Sequence, residues 1–184
     1  MDTPLGLESG TVRVMPHDPR WVDLFAQEAE RIRETLAAAN LVLVIEHTGS
    51  TAVPRLCAKP IVDILAGWRH LEELPRLIAA LQDAGYTYRG EQGIPGRQFF
   101  RRGDPRQYHL HLAQFRGSFW QDHVAFRDLL RADDGVAGAY ASLKYMLAQK
   151  YPRDREAYID GKTAFVHEML RQAKARGMYR DREP

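Results

Sequence analysis

Asp63 stands inside the apolar run "IVDIL", and a carboxylate there must be paired, hydrogen-bonded or bound to a cation to be tolerated. The same stretch begins at residue 46 with "EHTGSTAVPRLCAKP". Its Gly49-Ser50 pair follows an apolar run. A glycine lets the backbone approach a ligand closely, and amides with a serine hydroxyl can hold phosphate oxygens. Lys59 precedes Pro60, whose fixed φ would aim the chain and so the ammonium group. The plainer readings are an ordinary turn, a solvated lysine and an aspartate paired with a basic side chain.

The segment "YHLHL" at 108–112 adds two imidazoles. In a strand, alternation puts His109 and His111 on one face and Leu110 and Leu112 on the other. Such a pair suits a transition metal, an anionic phosphate or acid–base work; the alternative is a polar strand edge facing water. His47 adjoins the Gly-Ser turn and is expected to reach the same pocket. His17, His70, His123 and His167 read as cap, surface or helix-face residues. Glu91 and Arg97 flank the "EQGIPGRQFF" hairpin, and Lys144, Arg155, Tyr158 and Lys162 lie in the last third of the chain, where charges among aromatics usually form a solvated helix face.

Asp63, His109 and His111 are therefore the expected catalytic or metal-holding centre, with Glu91 or His47 as further ligands. Gly49, Ser50, Lys59, Arg97, Lys144 and Lys162 are the expected phosphate or nucleotide contacts. One carboxylate with two imidazoles fits Mn²⁺ or Zn²⁺ better than Mg²⁺, which prefers oxygen ligands.

The elements that must position these groups follow from pattern. Pro19 begins a helix that Asp18 caps, with Trp21, Leu24, Phe25, Ile32 and Leu36 at helical spacing. Leu41–Ile45 is apolar throughout, which predicts a strand covered on both faces, and Ile61–Ala66 predicts a second. Leu71 to Leu81 reads as a helix ended by Gly85. Strands are expected over 86–91, 97–102 and 107–115, separated by the turns "GIPG" and "GDP". Three helices follow from Phe119. The order predicts one α+β domain over residues 1–184, a mixed sheet with a helical C-terminal half packed on it.

Bulk composition limits the function classes. The 184 residues are 45% hydrophobic, enough for a full core. Lys plus Arg number 26 against 24 Asp plus Glu, too balanced for a dedicated nucleic-acid binder. The basic surplus sits in "RQAKARGMYRDREP", expected to be a solvated helix end. A single cysteine, Cys57, fits a reducing compartment. No apolar stretch approaches a membrane span, and "MDTPLGLESG" lacks the basic and apolar segments of a signal peptide. The expectation is a cytoplasmic protein without membrane or nucleic-acid partners.

Together "HTGSTAVPRLCAKPIVDIL", "YHLHL", "FRDLL", "LK" and "DREAYIDGK" resemble the GrpB family, over roughly residues 10 to 170. Arg55 stands where that family usually has Gly. The same domain is found fused to the C-terminus of some dephospho-CoA kinases. The resemblance implies a nucleotidyltransferase fold of the polymerase-β type. That superfamily carries Gly-Gly or Gly-Ser and, about a dozen residues on, two acids spaced Asp-x-Asp or Asp-x-Glu on the next strand. Gly49-Ser50 matches the first part. Asp63 supplies only one of the two acids, because Ile61 and Leu65 occupy the positions on either side. The resulting expectation is a nucleotide or phosphorylated small-molecule binder, with phosphoryl or nucleotidyl transfer as the reaction. The alternatives are a non-catalytic accessory or folding module related to the kinase fusion, and a metal-dependent phosphate-ester hydrolase built on the histidine pair.

Overall fold

The computed structural model describes residues 5–179; the ends of "MDTPLGLESG" and "RQAKARGMYRDREP" lie outside the described residues. The elements run α1 (Arg20–Ala38), β1 (Val44–Thr48), a 3-10 turn (Ser50–Ala52), β2 (Val62–Trp68), a second 3-10 turn (Leu71–Glu73), α2 (Leu74–Asp83), β3 (Thr87–Tyr88), β4 (Gln98–Arg102), β5 (Tyr108–Gln114), α3 (Ser118–Ala132), α4 (Asp134–Lys150) and α5 (Arg155–Ala175). This is the expected order of helices and strands, and the mixed α+β architecture holds.

The five strands form one sheet in the order β1-β2-β5-β4-β3. Only β2 and β5 run parallel, with Asp63 opposite His109 and Leu65 opposite His111. Period-two alternation then sorts the side chains into two layers. Val62, Ile64 and Ala66 of β2, Leu110 and Leu112 of β5 and Phe100 of β4 face one way, into a core with Trp21, Ile32 and Leu36 of α1 and Leu77 and Leu81 of α2. Leu65 faces the other way and packs with Trp120 and Val124 of α3. Asp63, His109 and His111 share that second face, so the helical half lies over them.

Local differences from the sequence reading have physical causes. The first strand begins at Val44 and is the sheet's edge. Leu41 and Leu43 are buried while Val42 is 82% exposed, so the approach to the strand alternates instead of being covered on both sides. β3 is shorter than expected because the chain turns away at Gly90, whose φ is +67°. α1 opens one residue late, at Arg20, although the Asp18 carboxylate still accepts the Arg20 amide at 3.0 Å. Gly85, at φ +80°, ends α2 as expected: its amide bonds to the Gln82 carbonyl and the next amide to that of Leu81.

One buried acid on the first face is fully accounted for. Glu28 accepts from Arg102 at 2.6 Å and from the Tyr86 hydroxyl at 2.7 Å, and it also pairs with Arg31. This network ties α1 to β4 and to the segment between α2 and β3, a structural use of charge. Among the described residues no lysine or arginine is paired with Asp63 in this way; its neighbours are His109 and His111.

Candidate functional site

Between the second sheet face and helices α3 to α5 lies a cleft of about 480 Å³. Its lining includes Gly49, Ser50, Lys59, Asp63, Arg97, His109, His111, Lys144 and Lys162. The sheet register brings in Asp63 and the histidines, the turn after β1 brings in Gly49-Ser50, and α4 and α5 lean over with the two lysines. Residues more than a hundred positions apart in sequence thus meet in one place.

Asp63 is held on the cleft floor. Its Oδ1 lies 3.2 Å from His109 Nδ1 and 3.9 Å from His111 Nε2, the second too long for a hydrogen bond. Burial pushes the Asp63 pKa up, but the two imidazoles outweigh it and hold the carboxyl well below the usual carboxylate range. His109 moves the opposite way for an imidazole that would pair as a cation: burial keeps it below its ordinary value despite the carboxylate. An ionised carboxylate can only accept, so a neutral His109 must donate from Nδ1. Its Nε2 then carries the lone pair, and this atom is buried with no hydrogen-bond partner among the described residues. The carboxylate thus fixes the orientation and tautomer of the imidazole.

Gly49 makes the closeness possible. It has φ +68° and ψ −172°, a conformation reserved for glycine, and the Asp63 carboxylate packs directly over its Cα. Ser50 opens the 3-10 turn, and its hydroxyl lies 3.0 Å from Lys144 Nζ. Lys144 is 2% exposed and also donates to the Cys57 carbonyl.

The electrostatics are lopsided. Among the described residues Asp63 is the one carboxylate in the lining, against Lys59, Lys144, Lys162, Arg97 and Arg155. Among the described residues none of these five cations forms an ion pair, whereas several carboxylates elsewhere pair with other arginines. Burial and mutual repulsion lower all three lysines. Lys162 is pushed down to about 7 by burial and by Lys59 and Lys144, while Lys59 and Lys144 sit at about 8, both chiefly through burial. Arg97 is partly occupied, since its Nη2 donates to the carbonyls of Glu91 and Gln92 at 2.7 and 3.2 Å and so anchors the hairpin loop.

Two expected participants are elsewhere. His47 pairs with Ile64 and therefore projects from the opposite sheet face. There it stacks on Phe25 at 4.5 Å and bonds Thr51, and burial keeps it neutral, at about 4. Glu91 is exposed at the hairpin, where its carboxylate accepts the Gly96 amide at 2.7 Å; it does not line the cleft. Conversely, His123 was read as a helix-face residue and lines the cleft. Its Nδ1–H donates to the Phe119 carbonyl at 2.8 Å, and its ring centre is 5.7 Å from that of His111. The available signal was its place on the Phe119–Phe126–Leu130 face, which covers the sheet. Arg155, only a candidate in the sequence, also lines the cleft.

The donor set does not compose a metal centre. Among the described residues no group of three or more His, Cys, Asp and Glu side chains is arranged to hold an ion. His109 Nδ1 is committed to Asp63, and the two acids or imidazoles expected to complete a shell, Glu91 and His47, lie outside the cleft. Nor is any described helix long and apolar enough to cross a membrane.

Comparison with known proteins places this architecture. The chain is 42% identical over 169 residues to UPF0157 protein PA4798 of Pseudomonas aeruginosa, covering 89% of this chain and 68% of that protein. It is 34% identical to the glutamate-rich protein GrpB of Alkalihalophilus pseudofirmus, covering 91% and 99%. With UPF0157 protein YqkA of Bacillus subtilis it shares 34% identity over 89% of this chain, but it spans only 47% of that longer relative. The crystal structure of the conserved protein GrpB from Enterococcus faecalis superposes with a TM-score of 0.81 at 34% identity, over 90% of this chain and 99% of that one. Arg55, where the resembled family usually has Gly, takes φ +65°, a conformation that glycine adopts without strain. The GrpB protein family model matches residues 11–172, and the chain belongs to that family.

Proposed function

We propose that the cleft binds the phosphate groups of a nucleotide or other phosphorylated small molecule, in a sheet of the nucleotidyltransferase, polymerase-β type. The observation that carries this reading is the surplus of buried and half-buried cations without ion pairs, among the described residues, over the single carboxylate Asp63. Several kcal/mol per ion is the scale of burying uncompensated charge, so such a set is stable only with its pKa values lowered or with anions bound. Phosphate oxygens on Lys59, Lys162 and Arg155 relieve both the desolvation and the repulsion. The aromatic and apolar lining from Phe99, Phe126 and Tyr158 suits the organic part of such a ligand.

The reaction this arrangement supports is phosphoryl or nucleotidyl transfer to an acceptor hydroxyl. His109 Nε2 takes the acceptor's proton, and Asp63 holds the imidazole in the required tautomer and stabilises the imidazolium that forms. The lysines balance charge on the transferred group. No step is assigned to a metal ion, because the donor set does not compose a site. The lone carboxylate also favours a second reading, a binding module without turnover that serves a dephospho-CoA kinase or related partner in the cytoplasm. Turnover of the bound nucleotide separates the two.

Binding is tested by thermal denaturation with phosphate, pyrophosphate and nucleoside triphosphates, each in the presence of a chelator. A ligand at ~100 times its dissociation constant should add about 2.7 kcal/mol, or roughly 5–11 °C for a chain of this size. No shift with any of these anions would end the phosphate reading.

A pH dependence goes with it. Lys162, near 7 in the folded chain against an ordinary value of 10.5, holds fewer protons folded than unfolded across that interval. Stability of the anion-free protein should therefore rise as pH increases from about 7 towards 10. A bound phosphate group restores the ammonium charge, so saturating pyrophosphate should flatten the rise, and anion affinity should fall as pH passes 7 to 8. Melting curves from pH 6 to 10, with and without pyrophosphate, measure both slopes.

A further inference from the structure

We propose that Ser50 is a nucleophile with Lys144 as its general base, accepting a phosphoryl group from a phosphoric anhydride to form a phosphoserine intermediate. This rests on the phosphate reading for its substrate, since the cleft cations are what hold the anhydride, but the residue pair stands on its own geometry. Ser50 Oγ lies 3.0 Å from Lys144 Nζ and lines the cleft. Lys144 is almost fully buried and has no carboxylate to keep it charged. A lysine that served only to solvate a helix surface would point outward, and one that served only as a structural ion would have an acid beside it.

The groups facing Lys144 come from every neighbouring segment. They are Ser50 from the 3-10 turn, the Cys57 carbonyl and thiol and the Lys59 ammonium from the loop before β2, the Tyr140 ring at 4.7 Å from its own helix, and Lys162 from α5. Burial lowers Lys144 to about 8, so a neutral fraction exists near pH 7 and grows as pH rises. In that form one N–H serves the Cys57 carbonyl and the lone pair is free for the serine proton. The Tyr140 phenol also lies near Ser50.

In the step proposed, Ser50 Oγ attacks phosphorus and the Oγ–P bond forms. The bridging P–O bond of the anhydride breaks, its electrons leave with the departing phosphate or nucleoside diphosphate, and the hydroxyl proton passes to Lys144 Nζ. No redox change and no other co-reactant is needed. In transfer onward the acceptor oxygen bonds to phosphorus and gives its proton to His109, the Oγ–P bond breaks, and Lys144 returns its proton to Oγ, which regenerates Ser50.

A fluorophosphonate probe tests the nucleophile independently of phosphate binding, because it carries no anionic phosphate for the cations to hold. Peptide mass mapping should find the adduct on Ser50, with a rate that rises with pH through about 8 as Lys144 loses its proton. Lys144→Arg stays charged at every pH and should slow labelling about 100-fold, while its melting curve shows that it is folded. Absence of label, label on another residue, or equal rates in wild type and Lys144→Arg would overturn the proposal. A Ser50 adduct in a protein that ignores pyrophosphate would uphold the nucleophile and reject the phosphate reading. Pyrophosphate binding without label would do the reverse.

Discussion

Gly49→Ala should lower stability by about 3 kcal/mol and dismantle the Asp63–His109 contact. The backbone at φ +68°, ψ −172° is a region that residues with a Cβ avoid, and holding one there costs roughly 1–3 kcal/mol. The added methyl group also has nowhere to go. It would run into the Asp63 carboxylate, with Asp63 Cβ and Cγ only 3.0 Å away. Either the turn rotates or Asp63 moves, and both shift the cleft floor. The expected drop in Tm is roughly 6–12 °C for a chain of this size. The His109 ring resonances should report the loss of its acceptor, since a displaced carboxylate leaves Nδ1–H buried and unbonded. A variant as stable as wild type, with an unchanged His109 signal, would show that the turn tolerates a side chain and that the carboxylate is not held against it.

That turn marks a division between what sequence carries and what only packing decides. Asp63 was legible because it interrupts an apolar run, where a carboxylate needs an explanation. His109 and His111 were legible because strand alternation alone puts them on one face. The parallel pairing that sets Asp63 opposite His109 was not, because register depends on the crossover through α2, β3 and β4. His47 shows the cost of reading proximity in sequence as proximity in space: one residue from Thr48, it faces the other layer. Glu91 fails for a related reason, since the hairpin carries its carboxylate into solvent while turning Arg97 inward. For Lys144 and Lys162 the periodicity said only that they lie on helices. Their burial follows from how α4 and α5 pack over the sheet, and no local pattern encodes that.

Asp63→Asn should separate the roles proposed for the cleft, because the charge acts differently on each. Stability should fall by about 1–3 kcal/mol, because the half-buried carboxylate is the negative charge among the cleft cations, while the amide Oδ1 of the variant can still accept from His109. The sign of its pH dependence is fixed. Its folded pKa is depressed, so wild type has the full contribution above the unfolded carboxylate range and loses it only as pH falls through the lower folded value. The variant should lack that acid-side loss. Anion affinity should move the other way. Asp63 raises the pKa values of Lys59 and Lys162 but also repels phosphate, and removing a like charge close to a bound anion should tighten pyrophosphate about tenfold, or ~1.4 kcal/mol. Turnover, if His109 is the base that Asp63 orients, should fall about 10²–10⁴-fold. Calorimetric titration of pyrophosphate, with a chelator and then with Mn²⁺, reads the binding half. Tighter binding that ignores the ion supports a cation cleft in which Asp63 serves the imidazole. Affinity that requires the ion in wild type and vanishes in the variant would overturn this assignment and make Asp63 a metal ligand.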